Sequence, residues 1–353
     1  MNRMNRSIVL VRFLSRLSLG LSLSVSLSLS FSLPLSLTLF PEVVLAQSVD
    51  DLFRQGLDAD AAGRDGEAEA IWRRVIMLEP NNAIAYYNLG LALHRQDKLE
   101  EAVSAYRQAI QRDPNYDEAY YSLGNALYDL RSYEAALNAY RRSIEINPSY
   151  AYAHNNLGNT LYVLGSLEES AAAFRTTLNL RDVKGSPASA HALAYANLGD
   201  LFLEQRQFSE AIDQYRQAID LAPDYAGAYS GLGAALKQQG QNEEAIDIFE
   251  RVLQLPDVDL LPTSAHTLAY TNLGDIFLEQ GQTEAAVAAY RSALTIDPDY
   301  DIAQQSLFRV EQPSTVPSSP PSDPILPSTV ATTTDLPQLG AALRSAVVNL
   351  FSP

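Results

Sequence analysis

Seven glycines, Gly56, Gly90, Gly124, Gly158, Gly199, Gly233 and Gly274, are each followed 16 residues later by an aromatic: Trp72, Tyr106, Tyr140, Phe174, Tyr215, Phe249 and Tyr290. The steps between glycines are 34, 34, 34, 41, 34 and 41 residues. A period of this size marks a helical unit that cannot bury its apolar face alone and does so by stacking on its neighbours. The 353 residues therefore predict one elongated body whose length is set by repeat number, not two globular domains.

Residues 83–116, AIAYYNLGLALHRQDKLEEAVSAYRQAIQRDPNY, show the unit. Tyr86, Leu89 and Leu93, then Ala102, Tyr106, Ala109 and Ile110, recur at helical spacing on two segments joined by a polar turn near Gln96 to Leu99. This is a helix-turn-helix hairpin. Small Gly90 and Ala102 let its helices approach, and Tyr106 fills the space between them and the next hairpin. Pro114 stops the second helix. The residue after each such proline, Asn81, Asn115, Ser149, Asp224 or Asp299, is expected to cap the following helix.

The pattern aromatic-x-x-Leu-Gly, then Ala, aromatic, Ala and Pro, resembles the tetratricopeptide repeat family over residues 49–300. The resemblance implies an all-α, right-handed α-solenoid with copies at 49–82, 83–116, 117–150, 151–184, 192–225, 226–259 and 267–300. A capping helix is expected at 301–311. Seven-residue insertions, GSPASAH and LLPTSAH, follow the fourth and sixth copies, and each carries a proline near a Ser or Thr. They predict first helices about two turns longer in the fifth and seventh repeats. They also define two 75-residue blocks, since 189–207 and 264–282 agree at 15 of 19 positions. The duplication reads either as a copied repeat pair or as two equivalent binding stations.

In such a solenoid the first helix of each hairpin lines the concave groove. Two residues before each glycine stand Arg54, Asn88, Ser122, Asn156, Asn197, Gly231 and Asn272. An asparagine offers both donor and acceptor, and the resemblance implies that a row of them grips an extended peptide by its main chain. The alternative is local hydrogen bonding. On the gripping reading, replacing Asn156, Asn197 and Asn272 by Ala weakens binding and leaves the melting curve nearly unchanged. Tyr87, Tyr121, Tyr128, Tyr152 and Tyr162 are expected to crowd the early groove as amphipathic contact area. Asp200, Glu204, Asp275 and Glu279 are expected to make the later groove acidic, or else a merely solvated face. Members of the family that hold acidic chaperone tails use a basic clamp. Here only Arg54, Arg95 and Lys237 are basic among these positions, so that clamp is missing.

The chain carries a formal charge of -17, which excludes a nucleic-acid binder, since phosphate binding needs a basic face. It has no cysteine, so disulfides and thiol chemistry are excluded. His94, His154, His191 and His266 are scattered, and no metal or cofactor site is expected. No phosphate loop or nucleophile elbow is present, so the chain reads as a non-enzyme. Residues 1–46 place Arg3, Arg6, Arg12 and Arg16 before a Leu-Ser run ending in Val44-Leu45-Ala46, the pattern of a cleaved signal peptide or, less fittingly, an uncleaved anchor. Export to a periplasm or comparable lumen, with secretion as a variant, is the expectation. Residues 312–335 are rich in Pro, Ser and Thr and read as a flexible linker. Leu336, Leu339, Leu343, Ala346, Val347 and Leu350 then form a helical stripe over 336–353. The partner expected is a protein or extended peptide, neutral to basic, with membrane contact only through a retained N-terminus. The expected role is a binding scaffold, with a membrane-anchored envelope or complex assembly factor as the alternative.

Overall fold

The computed structural model describes residues 48–185, 188–257, 259–260 and 263–312. The expected leader, the linker beyond Gln312 and the terminal helix lie outside these residues. Seven hairpins follow in order: α1 (Val49–Ala61) with α2 (Asp65–Leu78), α3 (Ala83–Arg95) with α4 (Leu99–Arg112), α5 (Asp117–Asp129) with α6 (Tyr133–Ile146), and α7 (Ala151–Val163) with α8 (Leu167–Asn179). Then come α9 (Ala190–Glu204) with α10 (Phe208–Leu221), α11 (Ala226–Gln238) with α12 (Asn242–Val252), and α13 (Ala265–Glu279) with α14 (Thr283–Ile296). A last helix, α15 (Asp301–Glu311), closes the array. Each helix packs chiefly on its neighbours in sequence. From α3 onward, consecutive first helices also pack on one another, whereas second helices touch the first helices on either side. The more closely spaced row is the inner one, so the first helices line the inner face.

The glycine-aromatic beat is a close-packing device. A Cβ on Gly124 would lie 2.5 Å from Cε1 of Tyr140, and one on Gly158 would lie 2.6 Å from Cε1 of Phe174. Trp72, Tyr106, Tyr140, Phe174, Tyr215, Phe249 and Tyr290 are the largest fully buried side chains of the solenoid. Each ring lies where a glycine removes the obstacle, so shortening the ring or lengthening the glycine breaks the same contact.

A second beat accompanies the first. Seven residues after each glycine the backbone turns left-handed, at Gly63, Asp97, Arg131, Gly165, Arg206, Gly240 and Gly281, with φ between 56° and 80°. This single residue reverses the chain between the two helices of each hairpin. Four of the seven positions are glycine, as the conformation favours.

Two expectations are corrected. The residue after each proline is not the cap: the N-cap is the next one, Asn82, Tyr116, Tyr150, Tyr225 or Tyr300, and of these only Asn82 caps with its side chain. Asn115 and Asp299 instead donate their amides to Asp113 and Asp297 (3.0 and 3.2 Å), which tightens the turn. The capping tyrosines serve by packing, Tyr116 on Tyr87 and Tyr150 on Tyr121, with centroids 4.9 and 4.8 Å apart. The second correction concerns the insertions. α9 and α13 have 15 residues, against 13 in the other first helices, a gain of about 3 Å and not two turns. Ser189 and Ser264 cap them and fix the start, with side chains accepting from Ala192 and Thr267.

What precedes those caps is a strap. His191 and His266 each close it through Nε2 to a carbonyl at the end of the preceding helical segment, Leu180 or Leu255, at 2.9 Å. Their amides donate to Asp182 and Asp257. The second strap forms a short antiparallel hairpin, β1 (Asp259–Leu260) with β2 (Thr263–Ser264), pairing Asp259 with Ser264 and Leu260 with Thr263.

Candidate functional site

In three repeats the residue after the beat glycine, one position further along the first helix, meets the tip of the aromatic ring 15 residues on. Where that residue is polar and the ring is tyrosine, the two bond. Tyr140 donates to Asn125 Oδ1 (2.8 Å), Tyr215 to Asp200 Oδ1 (2.6 Å) and Tyr290 to Asp275 Oδ1 (2.7 Å). Burial pushes the phenols of Tyr140 and Tyr215 well above their ordinary 10, and for Tyr215 the Asp200 carboxylate adds to it. They stay protonated donors at any ordinary pH. Asp200 and Asp275 thus tie together the two helices of their own hairpins, and Asp275 also reaches Lys237 of the preceding repeat.

The asparagine row is placed differently from the expectation of an open ladder. Asn88, Asn156 and Asn197 are buried, at 8%, 2% and 5% exposure. Asn156 Nδ2 donates back one repeat to Tyr121 Oη (3.2 Å) and Asn125 Oδ1 (2.9 Å), and Asn197 Nδ2 donates to Asn155 Oδ1 (3.1 Å). Asn272 is half-buried, donates to the Leu268 carbonyl of its own helix and accepts from Lys237 Nζ. Successive first helices come close enough to use these amides between repeats.

The tyrosines move in the same direction. Tyr121, Tyr128 and Tyr162 are buried rather than displayed. Tyr121 packs between Tyr140 and Tyr150, and Tyr128 meets Tyr133 edge-on at 5.2 Å. Tyr87 is half-buried between Tyr106 and Tyr116. Tyr152 alone reaches out of its helix to the first strap, donating to the Val183 carbonyl at 3.1 Å.

The inner-face charges sort into held and open. Arg95 is clasped by Asp60 and by Asp65 (2.5 Å) of the first hairpin, and Lys237 lies 2.6 Å from Asp275. His94 Nε2 meets Asp129 at 2.7 Å. Glu204 and Glu279, the last residues of α9 and α13, are exposed and have no ion partner among the described residues. At the N-terminal end the same face is apolar, with Leu57 and Ile84 about half exposed.

Two things in this arrangement escape a reading by single residues. Arg95 and Lys237 are held by neighbouring repeats, which only the inter-repeat spacing reveals, whereas Arg54 pairs with Asp51 of its own helix. The tyrosine-polar pairing, by contrast, was available as a correlation between two columns of the repeat. Among the described residues no cluster of three or more His, Cys, Asp or Glu is placed to hold a metal ion, and no helix is long and apolar enough to cross a membrane.

An array of stacked two-helix repeats with an apolar seam and a polar inner face defines the helical-repeat solenoids, a class that supports protein-protein interaction. Within it, this chain belongs to the tetratricopeptide repeat family. Models described as tetratricopeptide repeat match residues 224–299 and 72–104, and one described as TPR repeat matches 93–131, 124–165 and 199–240. Comparison with curated proteins returns no match. Among solved structures, the chain resembles the APC/C hetero-tetramer Cut9-Hcn1 at TM-score 0.60 and 16% identity, covering 75% of this chain but only 49% of that one. A tetratricopeptide repeat protein from Parabacteroides merdae gives 0.57 and 20%, over 75% and 99% of the two chains. PilF of Pseudomonas aeruginosa gives 0.53 and 17%, over 65% and 97%. At these identities the likeness is one of fold.

Proposed function

We propose that this chain is a non-enzymatic scaffold whose inner face binds an extended, neutral to basic segment of a partner protein outside the cytosol. The observation that carries the charge preference is the fate of the inner-face cations. Arg95 and Lys237 are both held by carboxylates of the chain itself, while Glu204 and Glu279 stand open. An acidic segment would meet repulsion from these two carboxylates with Arg95 and Lys237 already engaged, whereas a lysine or arginine would find two carboxylates at equivalent ends of α9 and α13. Export rests on the leader pattern of residues 1–46. The alternative, a membrane-held assembly factor, keeps the same binding face and differs in whether the mature chain begins near Gln47.

The test is reversal of charge. Glu204→Lys with Glu279→Lys weakens capture of the native partner about tenfold or more and leaves the melting temperature within a degree or two, because both side chains are exposed. Unchanged capture at low salt removes the charge argument.

A further inference from the structure

The glycine beat runs one step past the last hairpin. Counting 34 residues on from Gly274 reaches Phe308 of α15, so the place that holds glycine in seven first helices holds a phenylalanine here. In those seven the place faces the ring of the hairpin's own second helix, and a Cβ there would lie 2.5–2.7 Å from it. Phe308 thus points to where the second helix of an eighth hairpin would stand. Among the described residues nothing stands there: Phe308 is 66% exposed, and Ala303 is the one buried residue of α15.

A fitting segment lies further along the sequence. Residues 341–347, AALRSAV, repeat residues 288–294 of α14, AAYRSAL, at five of seven positions. This alignment puts Leu343 in the ring column with Tyr290. Arg344 joins the arginine that follows the ring in every second helix but one, as in Arg73, Arg141, Arg216 and Arg291. Ala346 falls with Ala109 and Ala218, and Val347 with Ile110 and Ile219. Asp335 takes the N-cap place that Gln282 holds in α14, and aspartate suits it better. Pro337 falls in the first turn, where proline is tolerated. The apolar stripe of 336–353 is therefore written as the packing face of a second helix.

We propose that residues 336–353 dock as a helix on the Phe308 face of α15 and complete an eighth hairpin, joined by 24 residues, 312–335, where the other hairpins use three. The register comes from the existing hairpins. Ser170 Oγ donates to the Gly158 carbonyl (2.8 Å) and Ser143 Oγ to the Asp117 carbonyl (2.9 Å), marking two points on the line along which paired helices meet. The equivalent pairs are Leu339 with Phe308 and Ala346 with Asp301. Leu339 and Leu343, one turn apart on one face, then flank the Phe308 ring. Glycine and alanine let the other hairpins close up, whereas Phe308 and Leu339 set this one at the wide end of the roughly 8–10 Å usual for packed helices.

The occupant is this segment rather than a second copy because it is tethered. Loop closure grows only with the logarithm of length, so 24 residues still hold the segment at high local concentration beside α15. So short a segment, with Gly340 inside it, is a poor helix alone, so its order depends on docking.

Hydrogen exchange on the full chain tests this dependence. Amides of 341–350 are expected to exchange at least tenfold more slowly than an unfolded chain of that sequence, at a rate unchanged by dilution. Phe308→Ser removes the protection and leaves α13 as in the wild type, since the side chain it changes is exposed. The chain has no cysteine, so Asp301→Cys with Ala346→Cys reads the register. Mild oxidation joins the two within one chain, at least tenfold more slowly when Phe308→Ser is added. Free exchange of 341–350 in the wild type overturns the proposal, as does protection that survives Phe308→Ser. Protection lost on dilution, or a disulfide formed only between chains, gives the face to a second copy and overturns it equally.

Discussion

Replacing Gly124 by Ala adds one methyl group where the structure has no room for it. The new Cβ would meet Cε1, Cδ1 and Cζ of Tyr140 at 2.5, 2.6 and 2.9 Å, against the 3.5 Å or more at which carbon atoms rest in contact. The ring cannot simply retreat, because it is fully buried and its hydroxyl is tied to Asn125, which also receives Asn156. Overpacking of this kind costs about 1–3 kcal/mol, and a locked ring belongs toward the upper end. Alanine returns up to about 1 kcal/mol through better helix propensity. The net loss is about 2 kcal/mol, a fall of roughly 4–8 °C for a body of this size. Gly66→Ala is the control, since a Cβ there meets nothing within 4 Å and the residue is exposed on α2. It should melt at or slightly above the wild type. Thermal unfolding followed by circular dichroism compares the two. If Gly124→Ala melts as high as Gly66→Ala, the glycine is not there to admit the ring, and the account of the beat fails.

Arg131 occupies a left-handed turn at φ 56°, the place held elsewhere by Gly63, Gly165, Gly240 and Gly281. Arg131→Gly relieves a strain of about 1–2 kcal/mol and loses part of it to the freer unfolded chain, so it stabilises by roughly 0.5 kcal/mol, read as a small rise in the denaturant midpoint. Asn156→Ala, expected on the gripping reading to leave melting unchanged, instead destabilises by about 1–3 kcal/mol because it strands Asn125 and Tyr121 in a buried site; an unaltered melt would return the residue to the groove. Glu69, buried and held by the Lys98 hydrogen bond despite desolvation, with Gln96 and Arg73 assisting, titrates below its ordinary 4.5. Its contribution is therefore present above about pH 4.5 and is lost as pH falls through the lower folded value. Glu69→Gln flattens that acid limb in a series of melts, and a limb of unchanged slope refutes the assignment.

The fold was legible because it is written in columns. Gly90 with Tyr106, Ala102 and Pro114 state a hairpin that recurs seven times, and periodic agreement at that level leaves little freedom for another architecture. The site was less legible, for physical reasons that differ by residue. Asn197 looks on a helical wheel like a side chain facing a groove, but the distance to α7, which no wheel contains, turns it into a bond to Asn155. Tyr121 reads as an amphipathic contact residue, yet Tyr140 and Tyr150 enclose it. The length of α9 was misjudged because the serine cap at Ser189 competes with helix extension, and a satisfied cap ends the propagation that seven inserted residues would allow. Glu204 and Glu279 are exposed because they stand at helix ends, where packing decides least.

The central claim is that a partner lies along the inner face of the later repeats. A photo-crosslinking amino acid placed at Glu204 or Glu279, in the full chain and its native setting, should capture one defined protein. The same group at Glu134 or Asp247, exposed on second helices, should capture little. Capture from the second-helix positions with none from the inner ones would contradict the account.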